Sequence, residues 1–302
     1  DEKIKRLMIL APPEWAKTTW GGLIYLAWKA SRERDKHFAY MSYQQEVAEK
    51  RFDAVRATFD TREYKYVFPN VAADKKRSWG KGDWTLQREN ASDPDPTMLV
   101  AGLFGGVLSY HFDEVVFDDP HDPDLVISKT GKENTWNRYR GTLMTRLKRD
   151  GRLVIMGYRW AEDDLPGRLM KGDWHLSGDC DGSCARTAWH VVLTPAIRCV
   201  VHGECSLKEE SCEIVSTWPQ AWPLERIYDK RAEGEVGEVF FQAQFMMQPR
   251  PQEGAIFKYW THRYAEPPPF ERIIVGFDVA VTAKERSDYN AWSGWGIRGR
   301  HA

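Results

Sequence analysis

Two short stretches of the sequence carry residues that together could bind and hydrolyse a nucleotide. The first, residues 11–18, ends in Lys17 and Thr18 and lies between an apolar run and a helical pattern. A loop in this place surrounds phosphates with backbone N–H groups, and its lysine reaches the β- and γ-oxygens. Alanines occupy both glycine positions of the consensus G-x-x-x-x-G-K-[ST]. Taken alone, the stretch predicts either a phosphate-binding loop or a tight turn with a solvated lysine.

The second stretch places two carboxylates at the end of an apolar run. Val115, Val116 and Phe117 lead directly into Asp118 and Asp119. In nucleotide hydrolases, carboxylates at the C-terminal edge of a strand hold Mg²⁺ and position the attacking water. A strand end capped by an Asp-Pro turn is the simpler explanation of the same residues. Because the pair follows a phosphate-loop pattern, the two stretches together predict an ATP-hydrolysing site.

The elements that would position these residues alternate between strands and helices. Apolar residues recur at helical spacing in residues 20–28, 45–59 and 136–147, and Ser42 with Gln45 predicts a capping box before the second helix. The alternation predicts an α/β fold with a mostly parallel sheet covered by helices on both faces. Short apolar runs predict its buried strands at residues 6–11, 37–41, 98–101, 114–117, 152–156 and 190–193.

Length and composition favour two soluble domains. The chain has 302 residues and a net charge of -1, so bulk charge does not indicate a nucleic-acid partner and any DNA contact must be local. No apolar run approaches the roughly 20 residues of a membrane span, and no secretory leader is evident, so we expect a cytoplasmic protein without a membrane partner. Proline-rich residues 248–269 predict a linker between domains at residues 1–247 and 270–302.

The five cysteines lie close together, between Cys180 and Cys212, which is not the spread of a disulfide framework. They fall in a segment, about 178–213, that we interpret as an insertion. Reduced thiols are one explanation, with Cys199 packed as a small apolar side chain. The other is a structural Zn²⁺, for which four soft ligands have suitable spacing: Cys180, Cys184, His202 and Cys205.

Several blocks of the sequence, in this order, resemble the large subunit of tailed-bacteriophage terminases. Together they cover nearly the whole chain, and their order is specific to that family. The blocks are APPEWAKT (residues 11–18), YMSYQQEVA (40–48), GLFGG (102–106) before FDDP (117–120), GYRW (157–160) with DDLPGR (163–168), FQAQF (241–245) with PRP (249–251) and EGAIF (253–257), and GFDVA (276–280). The resemblance implies a P-loop ATPase followed by an RNase H-like nuclease.

The resemblance also implies roles for individual residues of the ATPase. Asp119 would be the catalytic carboxylate, and Arg146 would act on a neighbouring subunit's nucleotide, although a surface charge explains Arg146 equally well. Glu14 stands where the family often has arginine, and a carboxylate there would repel a triphosphate unless it points outward. The remaining expected contacts are Pro13, Ala16, Lys17, Thr18 and Thr19 for the nucleotide, Thr18 and Asp118 for Mg²⁺, and Tyr158, Arg159 and Trp160 for coupling.

In the nuclease, Asp278 and Asp288 would bind a divalent metal, and the remaining ligands would lie beyond the sequence, so we expect a chain trimmed at both ends. The implied partners are double-stranded DNA, a portal protein, the small terminase subunit and further copies in a ring at the procapsid, in the host-cell cytoplasm. Two other functions fit the same residues: a helicase-like motor, and a non-catalytic zinc-clipped DNA-binding protein with a decayed ATP site. Basic loop residues expected to contact DNA phosphates are Lys75, Lys76, Arg77 and Lys81.

Overall fold

The computed structural model describes most of the chain and divides it into two compact units, Asp1–Gln252 and Glu253–Ala302. The division falls inside the predicted linker, residues 248–269. The candidate zinc ligands Cys180, Cys184, His202 and Cys205 and the candidate nuclease ligand Asp288 lie outside the described residues. The described residues are 4–90, 92–103, 105–107, 109–177, 179, 187–200, 213–232, 237–250, 269–278 and 291–297.

An eight-stranded sheet forms the centre of the first unit. Its strands are β1 (Arg6–Leu10), β2 (Phe38–Ser42), β3 (Asp83–Trp84), β4 (Met98–Gly102), β5 (Phe112–Asp118), β6 (Leu147–Gly157), β7 (Trp174–Leu176) and β8 (Trp189–Leu193). They lie in the order β3-β4-β2-β5-β6-β1-β8-β7. Neighbouring strands are parallel throughout, except that β3 pairs antiparallel with β4, so the predicted mostly parallel sheet is confirmed. A separate antiparallel pair joins β9 (Ile197–Cys199) to β10 (Ile214–Ser216).

Helices cover both faces of this sheet. A π-helical segment, Thr18–Ile24, runs directly into α1 (Tyr25–Arg32), and a second, Tyr139–Leu143, joins α4 (Lys129–Arg138) to α5 (Met144–Arg146). Leu147 begins β6 instead of ending the helix predicted over residues 136–147. The other helices are α2 (Gln45–Thr58), α3 (Arg62–Val67), α6 (Leu165–Leu169), α7 (Leu224–Ala232) and α8 (Gly237–Phe240), the last followed by the π-helical segment Phe241–Phe245.

The side chains of the central strands alternate between two apolar cores. Leu153 and Ile155 of β6 pack into one core with Leu143, whereas Val154 and Met156 pack into the other with residues of α1 and α2. This alternation follows from the two-residue period of a strand, and it explains why central strands read as continuous apolar runs. No helix within the described part of the chain has the length and apolar character that crossing a bilayer requires.

The predicted capping box before the second helix is wrong. β2 continues through Ser42, whose hydroxyl is buried without a hydrogen-bond partner among the described residues, and α2 begins only at Gln45. The Gln45 side chain instead joins α2 to β4: its Oε1 accepts from the Gly102 N–H at 2.8 Å, and its Nε2 donates to the Val100 carbonyl at 3.0 Å. These bonds fix the start of α2 against the sheet.

In the second unit, β11 (Arg272–Asp278) pairs antiparallel with β12 (Ala291–Ile297). Asp278, a candidate nuclease ligand, is the last residue of β11 and pairs with Ala291. The register is continuous over all seven residues of each strand. This strand pair is the only regular structure within the described residues of the second unit.

Replacing Gln45 with leucine should lower the free energy of unfolding by about 1–3 kcal/mol, because the change leaves the Gly102 N–H without its acceptor. Urea denaturation of the purified protein measures this difference. The neighbouring exposed Gln44, which donates to Asp122 at 3.3 Å, provides the control. Gln44→Ala should change the free energy by less than about 0.5 kcal/mol. Equal effects of the two substitutions would contradict the assigned role of Gln45.

Candidate nucleotide and metal site

The phosphate-loop residues and the acidic pair meet at one edge of the sheet. Residues 11–17 connect the end of β1 to the π-helical segment, and Asp118 is the last residue of β5. β6 lies between these two strands, and the C-terminal ends of all three parallel strands share an edge. Thr18 Oγ1 donates to Asp118 Oδ1 at 3.2 Å across this edge. The fold therefore brings together residues that are 100 positions apart in the sequence.

The Thr18–Asp118 contact has the spacing of two adjacent ligands of one Mg²⁺ ion. Octahedral Mg²⁺ binds oxygen at 2.0–2.1 Å, which places neighbouring ligand atoms about 3.0 Å apart. The two oxygens are 3.2 Å apart, and both are of the hard type that Mg²⁺ prefers. The spacing and type of the Thr18 and Asp118 oxygens thus suit the Mg²⁺ ion that accompanies a nucleoside triphosphate.

Asp118 is fully buried and accepts several hydrogen bonds. The Tyr40 hydroxyl donates to its Oδ2 at 2.7 Å, and Arg51 Nη1 donates to the same oxygen at 2.9 Å. Burial, together with the adjacent negative charge of Asp119, raises the pKa of Asp118 to about 6. A bound cation would favour the ionised carboxylate, because opposite charge lowers the pKa of an acid.

Lys17 lies within the same group of charges. Its Nζ donates to the Pro12 carbonyl at 3.4 Å and lies 4.9 Å from the centroid of the Tyr158 ring, in a cation–π contact. Burial lowers the pKa of Lys17, and the negative charges of Asp119 and Asp118 oppose this shift. A partly desolvated ammonium gains more from a phosphate than a solvated one, so this position suits anion binding.

Backbone strain is concentrated in the loop and the acidic pair. Three non-glycine residues there have positive φ angles: 62° at Glu14, 55° at Ala16 and 45° at Asp119. The left-handed region costs an L-residue with a Cβ roughly 1–2 kcal/mol. Ala16 occupies the consensus glycine position, so the loop adopts the conformation that the glycine would allow without this cost. Strained backbone of this kind is typical of binding and catalytic sites.

Glu14 does not face the Lys17 side of the loop. Its side chain is 66% exposed, and its Oε2 lies 3.5 Å from Arg226 Nη2 of α7. The next residue, Trp15, packs the loop onto the same region, with its ring stacked on that of Trp222 at 4.8 Å. Arg226 lies over the Trp222 ring at 3.9 Å. The outward carboxylate therefore has a partner, which reduces the repulsion expected between Glu14 and a triphosphate.

An apolar cavity of about 560 Å³ opens beside the loop. Its walls include Trp15, Lys17, Trp20, Tyr25 and Leu7. The volume is within the range of small-molecule sites, and aromatic walls with a few charged groups are typical of them. Because Lys17 borders the cavity, a ligand there would lie next to the phosphate-loop region.

The residues after β6 form a fixed segment that begins at the site. Asp164, which is fully buried, accepts from Arg159 Nε at 3.0 and 3.1 Å and from the Trp160 N–H at 2.8 Å. Tyr158, at the start of the segment, contacts Lys17, and burial and the charge of Asp119 raise the pKa of the Tyr158 phenol to about 12. The segment therefore begins with a side chain that contacts the loop lysine.

His121 provides a second connection to this segment, which sequence reasoning missed. It lies two residues beyond Asp119, and its Nε2 accepts from the Leu165 N–H at 2.7 Å. The imidazole is buried, and its Nδ1 has no hydrogen-bond partner among the described residues. Burial lowers the pKa of His121 to about 4, so the side chain is neutral at physiological pH.

Two solved structures have a similar chain fold. Both are of the large terminase ATPase domain of Thermus phage P74-26. A single-substitution mutant of that domain has a TM-score of 0.49 and 12% identity over 82% of this chain and 90% of that chain. The domain itself has a TM-score of 0.47 and 14% identity over 81% and 88% of the two chains. No protein-family model and no curated protein matches the sequence.

The structure does not bring every candidate residue to this site. Arg146 ends α5, just before the first residue of β6, and so lies at the opposite end of that strand from Gly157. Its Nε is buried without a hydrogen-bond partner in the described part of the chain. Pro13 and Thr19 lie in the loop and the first helical turn, beside Lys17 and Thr18. Tyr40 and Arg51 lie at the site but were not predicted from the sequence.

Ala16→Gly should raise the free energy of unfolding by about 0.5–1 kcal/mol, because glycine adopts the φ of 55° without the cost of a Cβ. Chemical denaturation of both proteins measures the change. Ala54→Gly, at an exposed right-handed position within α2, should instead lower the free energy by about 1 kcal/mol. A similar loss in both variants would show that Ala16 is not left-handed.

The pKa of His121 predicts a pH dependence of stability. Below its ordinary pKa of 6.5 the unfolded chain binds a proton here, whereas the folded protein does so only near pH 4. The free energy of unfolding should therefore fall as pH drops from 6.5 to 4, by up to about 1.4 kcal/mol per pH unit from this group. His121→Gln keeps an acceptor for the Leu165 N–H and should show a smaller loss.

Denaturation series between pH 7 and 4.5 measure this difference. If wild type and His121→Gln lost stability in parallel, the buried neutral state of His121 would be refuted.

Proposed function

We propose that the protein is the ATPase of a DNA-packaging motor of the terminase type, which drives double-stranded DNA into a procapsid. The observation that carries the proposal is the 3.2 Å contact between Thr18 and Asp118. It joins the residue after the loop lysine to a carboxylate at the end of β5, across the intervening β6, as Mg²⁺–nucleotide binding requires. The sequence blocks that resemble terminase large subunits, and their order, support this class of motor over other ATPases.

In the proposed reaction, Lys17 donates to the β- and γ-phosphate oxygens. Thr18 and Asp118 would hold Mg²⁺, which would neutralise charge on the phosphates. Asp119 accepts a hydrogen bond from the attacking water and orients it in line with the γ-phosphorus. The water oxygen bonds to phosphorus as the bond to the β–γ bridging oxygen breaks, the electron pair of that bond leaves with ADP, and the water's proton passes through Asp119 to the released phosphate. Most of the catalysis then comes from positioning and charge stabilisation. We propose the cavity beside Lys17 as the place of the base and ribose.

Coupling to movement would run through Tyr158. Its ring contacts Lys17 in the structure, and its phenol occupies the place of the smaller polar side chain common in the family. Loss of the γ-phosphate removes negative charge next to Lys17, so the Lys17 ammonium group moves. The Tyr158 ring, which contacts that ammonium group, moves with it. Arg159 and Trp160 then transmit this shift, because both bond to the buried Asp164.

DNA contact is proposed at the loop before β3. Lys75, Lys76 and Arg77 of this loop line a cavity of about 500 Å³, and Lys81 is exposed nearby in the sequence. Basic side chains of this kind bind backbone phosphates without reading sequence, and salt weakens the contact. The portal protein, the small terminase subunit and a ring of further copies are the partners that this function would need.

The nuclease of the proposed motor would begin in the second unit. Asp278 ends β11, and two-metal nucleases use carboxylates on such strands. Two proposals concern residues outside the described part of the chain: Asp288 as a further metal ligand and a Zn²⁺ held by the cysteine-rich insertion. The non-catalytic alternative also has support, because the strained Ala16 weakens the match to an efficient phosphate loop.

The test is ATP hydrolysis by the folded, full-length protein, measured as phosphate release with and without double-stranded DNA. We expect hydrolysis that DNA stimulates and that Lys17→Ala and Asp119→Asn each reduce by about 100-fold or more. Lys171→Ala, at an exposed lysine after α6, should keep wild-type activity. Absence of hydrolysis in the wild type would favour the non-catalytic alternative. Hydrolysis that DNA does not stimulate would refute the motor function while retaining the ATPase.

A further inference from the structure

One arginine binds both carboxylates of the acidic pair. Arg51 Nη1 donates to Asp118 Oδ2 at 2.9 Å, and Arg51 Nη2 donates to Asp119 Oδ2 at 3.2 Å. Arg51 lies on α2, which follows β2 in the sequence, and β2 pairs directly with β5 in the sheet. The guanidinium side chain is 32% exposed, whereas the Asp118 side chain is fully buried. Arg51 therefore approaches the pair from the helix side and closes part of the site from solvent.

Arg51 bonds to only one oxygen of each carboxylate, so the other oxygen of each is not bonded to Arg51. Asp118 Oδ2 also accepts from Tyr40 at 2.7 Å, so two donors fix this oxygen. Asp118 Oδ1 faces the Thr18 hydroxyl instead. Asp119 Oδ1 lies near Gly157, where a Cβ on the glycine would be 3.6 Å away. Each carboxylate thus has one oxygen bonded to the guanidinium and one directed to another part of the site.

A single guanidinium is well suited to this arrangement. Its two terminal nitrogens lie in one plane at a fixed separation, so binding both carboxylates fixes their relative orientation. Its positive charge also offsets the repulsion between two anions on consecutive residues. An ammonium group is a compact point charge on a flexible chain and does not impose the same geometry.

The anchoring of α2 keeps Arg51 in place. Phe52, next to Arg51, is buried against Tyr40 with ring centroids 4.9 Å apart. Gln45 binds α2 to β4 at the start of the helix. Asp119, at the other end of the bridge, has a φ of 45°, a conformation that the surrounding contacts must hold.

We propose that Arg51 is a positioning residue of the ATPase site. It orients both carboxylates through their Oδ2 atoms, so that Asp118 Oδ1 is available to the metal with Thr18 and Asp119 Oδ1 to the attacking water. Tyr40 supports the same oxygen of Asp118. This inference rests on the proposed function. It gives a role to Arg51, which lies outside the sequence blocks, and to Tyr40, which begins one of them. Partners that orient metal ligands commonly contribute 10- to 100-fold to affinity or activity.

The test compares Arg51→Gln and Arg51→Lys with the wild type in two assays. Steady-state hydrolysis separates kcat from KM, and isothermal titration calorimetry measures binding of ADP alone and of ADP with Mg²⁺ and fluoroaluminate. We expect both variants to lower kcat about 10- to 100-fold, with KM and ADP affinity within about threefold of wild type. Affinity for the fluoroaluminate complex should fall in parallel with kcat, because that complex requires the aligned carboxylates.

Two further variants separate positioning from folding. Arg56→Lys changes an arginine on the same helix that bonds to the Trp79 carbonyl at 2.8 Å, and it should behave as wild type in both assays. Tyr40→Phe removes only one hydroxyl, and it should show a smaller loss of kcat and of fluoroaluminate affinity in the same direction. If the Arg51 variants failed to fold, Tyr40→Phe would still decide the question.

Three results would overturn the inference. Arg51 variants with kcat and fluoroaluminate affinity within about threefold of wild type would show that the bridge has no positioning role. A rise in KM with unchanged kcat would make Arg51 a nucleotide-binding group. In a third result, calorimetry without nucleotide would detect Mg²⁺ binding only in Arg51→Gln, and the affinity for the fluoroaluminate complex would be unchanged. Arg51 would then compete with Mg²⁺ for the carboxylates instead of positioning them. If wild type and Arg56→Lys also failed to hydrolyse ATP, the proposed function itself would fall.

Discussion

The hydrogen bond between Thr18 and Asp118 is the contact on which the candidate site depends. It joins the first turn after β1 to the end of β5, across the intervening end of β6. The distance between the two side chains is set by the parallel registers of β1 with β6 and of β6 with β5. Those registers are in turn fixed by two apolar cores that receive alternate residues of each strand. A one-residue slip of β6 would move its apolar side chains to the wrong faces and separate the site.

The site also contains strained backbone conformations and a charged group that is buried from solvent. Glu14, Ala16 and Asp119 have left-handed φ angles, and Asp118 holds a carboxylate in a fully buried position. Contacts outside the loop hold these features in place. Trp15 stacks on Trp222, and Arg51 and Tyr40 bond to the buried carboxylate. The strained backbone and the buried charge destabilise the folded state at the loop and the acidic pair, and the contacts around them offset this cost. Local strain that is held in place by its surroundings is more typical of a binding site than of a structural turn.

Much of the fold could be predicted from the sequence, because central parallel strands read as unbroken apolar runs between helical patterns. The acidic pair was also predictable, since it ends such a run. The strand order was not, because β2 reaches β5 only through a crossover, and this order alone brings Tyr40 and Arg51 to Asp118. The outward position of Glu14 was not predictable either, because its partner Arg226 is more than 200 residues away in the sequence. The error at Ser42 was local: β2 runs to Ser42 itself, and only Gln45 bonds to β4.

In the proposed site, Thr18 and Asp118 hold the metal of a bound nucleotide at the shared edge of β1 and β5. Crystals of the protein grown with ADP and Mn²⁺ would locate this ion directly from its anomalous scattering. We expect one Mn²⁺ site within about 2–2.4 Å of both Thr18 Oγ1 and Asp118 Oδ1, with a β-phosphate oxygen among its ligands. Mn²⁺ bound only at other residues, with none between Thr18 and Asp118, would rule out this role for the two side chains.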